Sequence, residues 1–470
     1  MLTTDYVVAG GFNFYSAVNR RLDEIRERCP DLTDDKLKNA LSHFGNRALL
    51  SFGINLGSKK KENIIKDTDK YIQSIVNMID SASSSNFIPD NMIRYIDSGG
   101  FQISMGYIPS YEIPKFIDMY CKFLVDHKDK YERAFSLDVP ANDKVFKNFD
   151  ELYSLNKQSY EKICELPKDV REKLIYVFHF RTPKTYEIWR KLTFEDGLME
   201  RLGSNKWAVG GIVASLAGDN EVPLISYVLP LVPFLNFEMQ RRNKSFDYHI
   251  LGGSAYRDVL FYSLMRKHVK QLYGVEVNFT YDSSGLFKQL AMGRFLDFID
   301  ESNGYVYKVN VMSDYLNQSV NEFVKESNLN HVISKCNALS EKFNLPYLDF
   351  SKGLYDLEGK NQPFFKDVEL YLMFLLLDFY YELKLICEKF VDDIYPLYYQ
   401  NRMKFNKEVF DLLHRLNRGT ISQKFRTKTS SILNSMDFMN DLNEKRVDIM
   451  INKYMSKDEF MCLIRKSPTF

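Results

Sequence analysis

Clustered cysteine is missing from this chain. Cys29, Cys121, Cys164, Cys336, Cys387 and Cys462 lie far apart, with no CxxC pair among them. A disulfide framework or a structural zinc knot needs closer groups, so reduced thiols and an intracellular, cytoplasmic protein are expected. An excess of one charge is missing too: the formal net charge is +1. The molecule as a whole therefore does not attract polyanions, and any nucleic acid must be held by a local basic patch. Long apolar runs are absent, so no membrane partner is expected. The most apolar stretch, "LYLMFLLL" at 370–377, is halted by Asp378, far short of the ~20 residues of a span, and reads as buried helix. The opening "MLTTDYVVAGG" has no basic region followed by a long apolar stretch, so no signal peptide is expected. Repeats and low-complexity segments are lacking as well.

What is there is a globular composition rich in aromatics: 45% hydrophobic and 27% charged residues, with 30 Tyr and 36 Phe among the 470. That length suits a single large α/β barrel with additions. Short apolar runs with the look of buried parallel strands recur along the chain. They are "DYVVAGG" (5–11), "RALLSFG" (47–53), "MIRYID" (92–97), "RAFSLD" (133–138), "KLIYVFHF" (173–180), "WAVGGIV" (207–213), "DYHILGG" (247–253) and "VEVNFTYD" (275–282). Between them lie stretches with apolar residues at helical spacing, such as 111–131 and 256–274. Eight such units imply a (β/α)8 barrel. The segment 365–392 reads as one long buried helix closing the barrel after an insertion at about 305–365. The barrel is thus expected over 1–395, with a basic helical appendage over 396–470.

The strand ends carry the chemistry. Asp97, Asp138, His179, Gly210-Gly211, Gly252-Gly253 and Asp282 all fall at the C-terminal ends of expected strands, where active sites of such barrels sit. Taken singly, each has a commoner structural role: a turn or helix-cap aspartate, a satisfied core histidine, a packing glycine. Taken together, they surround one opening. Two facing carboxylates suit glycosyl transfer, one attacking the sugar carbon and the other moving a proton to and from the leaving group. The glycine pairs let a planar ligand approach bare backbone. A third carboxylate accepts hydrogen bonds from an amidine-like edge such as that of guanine, and Phe101 offers a stacking face.

"DSGGFQ" (97–102) resembles the signature of the tRNA-guanine transglycosylases, a family of (β/α)8 barrels that exchange guanine for a 7-deazaguanine base. "FSLDVP" (135–140), "VGGIV" (209–213), "HILGGS" (249–254) and "FTYDSSG" (279–285) resemble further family segments in order, and the likeness spans roughly residues 90 to 295. It implies Asp282 as nucleophile on the sugar C1′ and Asp97 as general acid/base. Asp138 would read the base edge, Gly210 and Gly211 would offer backbone contacts, and Phe101 and Leu251 would sandwich the ring. Ser98, Gly99 and Gly252 join this base-binding set. His179 stands where the family usually has glutamine, and would donate to or accept from the same edge.

Two departures matter. The family's CxCxxC cluster with a later histidine is missing, Cys336 having only His331 nearby; no zinc subdomain, no metal and no other cofactor are expected. The family's basic segment after the nucleophile is reduced to Lys288 and Arg294. Both departures resemble the phage-type branch that places deazaguanines into DNA, with DNA and a free 7-deazaguanine base such as 7-cyano-7-deazaguanine as partners; a phage-encoded enzyme would work in the host cytoplasm. Expected nucleic-acid contacts are Lys59, Lys60 and Lys61, Arg241 and Arg242, Arg294, and a basic stretch over 402–428 including Arg415, Arg418, Lys424 and Arg426. That stretch reads equally as a solvated helical face. Alternatives are a tRNA substrate, a non-catalytic nucleic-acid-binding barrel, or a glycosidase using the same two carboxylates.

Overall fold

Each of the eight apolar runs contains a strand: β1 (Tyr6–Ala9), β2 (Arg47–Ser51), β3 (Ile93–Asp97), β4 (Arg133–Phe135), β5 (Leu174–His179), β6 (Lys206–Gly210), β7 (Ser245–Ile250) and β8 (Glu276–Asp282). In the computed structural model they close into a barrel in chain order. The structure describes residues 5–20, 22–44, 47–56, 67–140, 148–179, 183–211, 225–283, 296–300, 304–309, 334–347, 366–416 and 423–440. Pairing from β3 through β8 is parallel, and helices intervene between successive strands. This is the (β/α)8 architecture that the alternation of elements implies.

Side-chain alternation along the strands decides what faces the barrel axis. On β5, Tyr176 and Phe178 point outward. Tyr176 meets Trp207, and Phe178 meets Trp189 and Phe234, with ring centroids 5.9–6.4 Å apart. Ile175, Val177 and His179 are left on the inner face. On β8, Phe279 stacks on Tyr262 at 5.4 Å, and Tyr281 packs on the same ring at 5.3 Å. Both contacts reach the helix Tyr256–Tyr273, which turns Asn278, Thr280 and Asp282 inward. On β7, Tyr248 packs outward on Phe234 and Phe279, so Asp247 and His249 face inward. Aromatic residues thus fill the layer between strands and helices, which accounts for much of their surplus in the sequence.

The chain divides into two compact units, one of residues 1–48, 78–92 and 283–422, the other of 49–77, 93–282 and 423–470. In the first, the expected long helix runs over Lys366–Ile394 and packs on the helices Gly11–Arg20 and Asp34–Phe44. Tyr380 stacks on Tyr6 at 4.5 Å, and Lys384 donates to Asp5 at 3.0 Å. Also here are a two-stranded antiparallel pair, Leu296–Ile299 with Val306–Val309, and the helix Arg402–Leu416. Of the expected insertion at 305–365, residues 305–309 and 334–347 are described, with a helix over 334–343.

In the second unit, the helix Gln423–Asn440 packs on the helices Ile225–Gln240 and Tyr256–Tyr273. His268, fully buried, bonds through Nε2 to the Met436 carbonyl at 3.0 Å, and the Tyr273 hydroxyl donates to the Met439 carbonyl at 2.5 Å. The described parts of 396–470 therefore fall in both units.

One buried carboxylate of the outer layer is matched by two donors. Glu238 is wholly buried, accepting from Trp207 Nε1–H at 2.9 Å and from the Asn243 amide. Trp207 lies flat on Phe234 at 4.7 Å. Glu238→Ala strips the acceptor from a buried indole N–H, and urea denaturation is expected to register a loss of about 1–3 kcal/mol.

Candidate functional site

The inward positions at the C-terminal ends of β3 to β8 gather Asp97, Asp138, His179, Gly210, Leu251 and Asp282, all within the second unit. Asp97 is the last residue of β3. Its carboxylate accepts from the Ser51 hydroxyl at 2.7 Å, and its carbonyl accepts from Phe52 N–H at 2.7 Å, so the end of β2 holds it from two sides. Burial pushes the Asp97 carboxyl up to about 6. The Ser51 hydrogen bond and the Gly99 N–H oppose that rise, while the negative charges of Asp138 and Asp282 add to it. Asp97 thus feels the charges of both other carboxylates.

The turn after Asp97 explains its own composition. Gly99 sits at φ +92°, where a side chain would be strained. A Cβ on Gly100 would stand 2.9 Å from Asp138 Oδ1. The bare backbone of "SGG" therefore makes room for the neighbouring carboxylate. The short helix Gly100–Ser104 begins at once and presents Phe101, 53% exposed. Ser98 is completely buried, and its hydroxyl has no hydrogen-bond partner among the described residues.

Asp138 lies beyond the end of β4, which stops at Phe135. Asn156 fixes that segment by accepting from Val139 N–H at 2.8 Å and donating to the Val139 carbonyl at 3.0 Å. Asp138 and His179 are both buried and form a pair, Oδ2 to Nδ1 at 2.5 Å. An ionised carboxylate only accepts, so Nδ1 carries a proton and Nε2 is the ring's outward atom. The ring lies over the glycine pair that ends β6: a Cβ on Gly211, at φ +78°, would overlap His179 Nε2. One on Gly210 would meet Leu251 Cδ1 at 3.0 Å. The volume that side chains at these two positions would take is thus occupied by the imidazole of His179, by Leu251 and by Val177.

Asp282 closes β8. Gly252 N–H donates to its Oδ1 at 2.8 Å, and His249 Nε2 lies 3.3 Å from the same oxygen. His249, Ser51 and Thr280 belong to the site although none stands out in the sequence as a functional residue. Period-two alternation was the available signal, because His249 is two residues before Leu251 and Thr280 two before Asp282.

The expected polymer contacts are dispersed. Arg241 and Arg242 lie in the turn before β7, at the strand's opposite end from the Asp282 side of the barrel. Arg241 is also engaged internally, donating to the Ser204 carbonyl at 3.1 Å with its guanidinium over Phe237. Arg415 belongs to the helix Arg402–Leu416 of the first unit, whereas Lys424 and Arg426 are on the helix Gln423–Asn440 of the second. Lys59, Lys60, Lys61, Lys288, Arg294, His331 and Arg418 lie outside the described residues.

Among the described residues, no group of three His, Cys, Asp or Glu side chains could hold a metal ion, and no helix is long and apolar enough to cross a membrane. No protein-family model matches the chain, and no curated protein matches it.

The raised Asp97 carboxyl has a thermodynamic signature. Between the ordinary value of 3.8 and about 6, the folded protein binds a proton that the unfolded chain has already released. The contribution is complete below about pH 4 and is lost as pH rises through about 6. Denaturation midpoints of wild type and Asp97→Asn at pH 4.5 and 6.5 test this. The wild type is expected to lose stability relative to the variant as pH rises across that window.

Proposed function

We propose that the protein is a base-exchange transglycosylase that replaces guanine in DNA with a 7-deazaguanine base. The observation that carries this reading is the grouping of Asp97, Asp138 and Asp282 at one end of the barrel, with the Asp97 carboxyl raised by burial and further by the charges of both others. Environments that push carboxylates apart in acidity are how one site supplies both an acid and a nucleophile. In the proposed reaction, a carboxylate oxygen of Asp282 forms a bond to C1′ as the C1′–N9 bond breaks. The proton of Asp97 goes to the departing guanine. The incoming base then returns its N9 proton to Asp97, attacks C1′ and releases the Asp282 carboxylate. Asp138 and His179 would read the polar edge of the base, with Phe101 and Leu251 on its faces.

The polymer must present its nucleotide outside the stack, at a cost of a few kcal/mol offset by phosphate contacts. Support for DNA over tRNA comes from the sequence alone, through the reduced basic segment after the nucleophile and the missing cysteine cluster. Exchange of labelled guanine into DNA and tRNA, separately and in competition, decides between them. DNA is expected to be labelled and tRNA not.

Asp282→Ala is expected to abolish exchange and the covalent protein–DNA adduct on a denaturing gel. Asp97→Asn is expected to slow exchange by about 10²- to 10⁴-fold, the usual contribution of a positioned acid. No exchange with either polymer would leave a barrel that binds without catalysing, and full activity in Asp282→Ala would remove Asp282 as the nucleophile.

A further inference from the structure

Resting on the reading of Asp282 as the nucleophile, we propose that His249 is its positioning residue: a neutral imidazole, locked by Thr280, that fixes which carboxylate oxygen attacks. The register of the last two strands sets this up. His249 on β7 stands directly opposite Thr280 on β8, and alternation puts Asp282 on the same inward face two residues further on. The ring meets both: Nδ1 is 2.9 Å from Thr280 Oγ1, and Nε2 is 3.3 Å from Asp282 Oδ1.

Chemistry fixes the tautomer. A carboxylate has only lone pairs to offer, so Nε2 carries the hydrogen and donates it. Nδ1 then accepts from the Thr280 hydroxyl, a group able to donate or accept. The imidazole is satisfied at both nitrogens with no charge, which suits a ring only 1% exposed. Phe135 at 4.8 Å and Tyr95 at 6.3 Å, from β4 and β3, wall the ring in.

Two donors therefore converge on one oxygen. His249 Nε2–H and Gly252 N–H both go to Oδ1, and Oδ2 has no hydrogen bond among the described residues. Oδ2 is then the oxygen presented to C1′. After attack, Oδ1 becomes the carbonyl oxygen of the glycosyl ester and still accepts from the same two donors. When the second base arrives, they stabilise the negative charge returning to the carboxylate. His249 touches neither sugar nor base in this scheme. Its effect is orientation, and misplacement of a reacting atom by about an ångström costs up to about 100-fold in rate.

The test measures kcat, and KM for labelled guanine, with DNA as the second substrate, in wild type, His249→Phe, His249→Gln and Thr280→Val, with melting curves for each. His249→Phe keeps the ring packing and removes the donor. It is expected to lower kcat by about 10- to 100-fold, with KM within twofold of wild type. His249→Gln restores an N–H and is expected to recover part of the loss. Thr280→Val unlocks the tautomer and is expected to fall between wild type and His249→Phe. Wild-type kcat in His249→Phe, a loss confined to KM, or a glutamine variant no better than the phenylalanine one overturns the assignment while leaving the exchange reaction standing. No exchange by the wild type overturns the reading of the site, and this assignment with it.

Discussion

Three carboxylates are brought to one end of a barrel, where Asp138 and Asp282 both repel the buried Asp97, and the rest of the site is arranged around that repulsion. Each carboxylate meets it differently. Asp138 is paired with an imidazole at 2.5 Å. Asp282 is held by a backbone N–H and a second histidine on a single oxygen. Among the described residues, Asp97 has only the Ser51 hydroxyl and the Gly99 N–H in its favour, and these do not outweigh dehydration and the two neighbouring charges; its carboxyl keeps its proton up to about pH 6. Three residues of one type thereby become chemically distinct, and in the proposed reaction the distinctions become roles: reader, nucleophile and acid.

The barrel makes such a cluster tolerable by bringing its supports from different strands. The layer beneath the strand ends contains Tyr95, Phe135, Val177, His249 and Thr280, in which Phe135 and Tyr95 flank the His249 ring. Outside, aromatic rings between strands and helices fix strand orientation, because Phe279 and Tyr281 cannot leave Tyr262 without turning Asp282 away from the axis. The geometry of the mouth thus depends on packing well outside it. A glycine at position 100 is part of the same economy of space, since the Asp138 carboxylate occupies the volume a side chain would take.

Much of this was legible in the sequence because it is local. Strand runs, their polar ends and the long helix before residue 395 follow from periodicity and from where apolar runs stop, and all eight runs contain strands. What was not legible depends on register between strands. His249 lies in the quoted run "DYHILGG", yet its meaning comes from standing opposite Thr280, which no single-strand pattern contains. His179 is legible as a candidate for the base edge, but its pairing through Nδ1 with Asp138, from beyond the preceding strand, is not. The glycine pair at 210–211 is legible as a place of close approach, but not that the His179 ring stands where a Gly211 side chain would go. Arg241 and Arg242 illustrate the reverse: a residue just before a barrel strand belongs to the face opposite the strand ends, a topological point already available once the barrel is inferred.

The third carboxylate separates base exchange from plain glycoside cleavage. A glycosidase needs two carboxyl groups, and a further buried one beside them raises the electrostatic cost without serving the reaction. Pairing Asp138 Oδ2 with His179 Nδ1 lowers that cost and leaves the second carboxylate oxygen, Oδ1, outside that bond, with Nε2 as the ring's other polar atom. A planar ring with a donor-rich edge complements that combination, whereas a sugar's hydroxyls, spread around a puckered ring, do not require it. In the proposed reaction the Asp138–His179 pair would decide the identity of the base, and Asp97 and Asp282 would supply chemistry that by itself is indifferent to it.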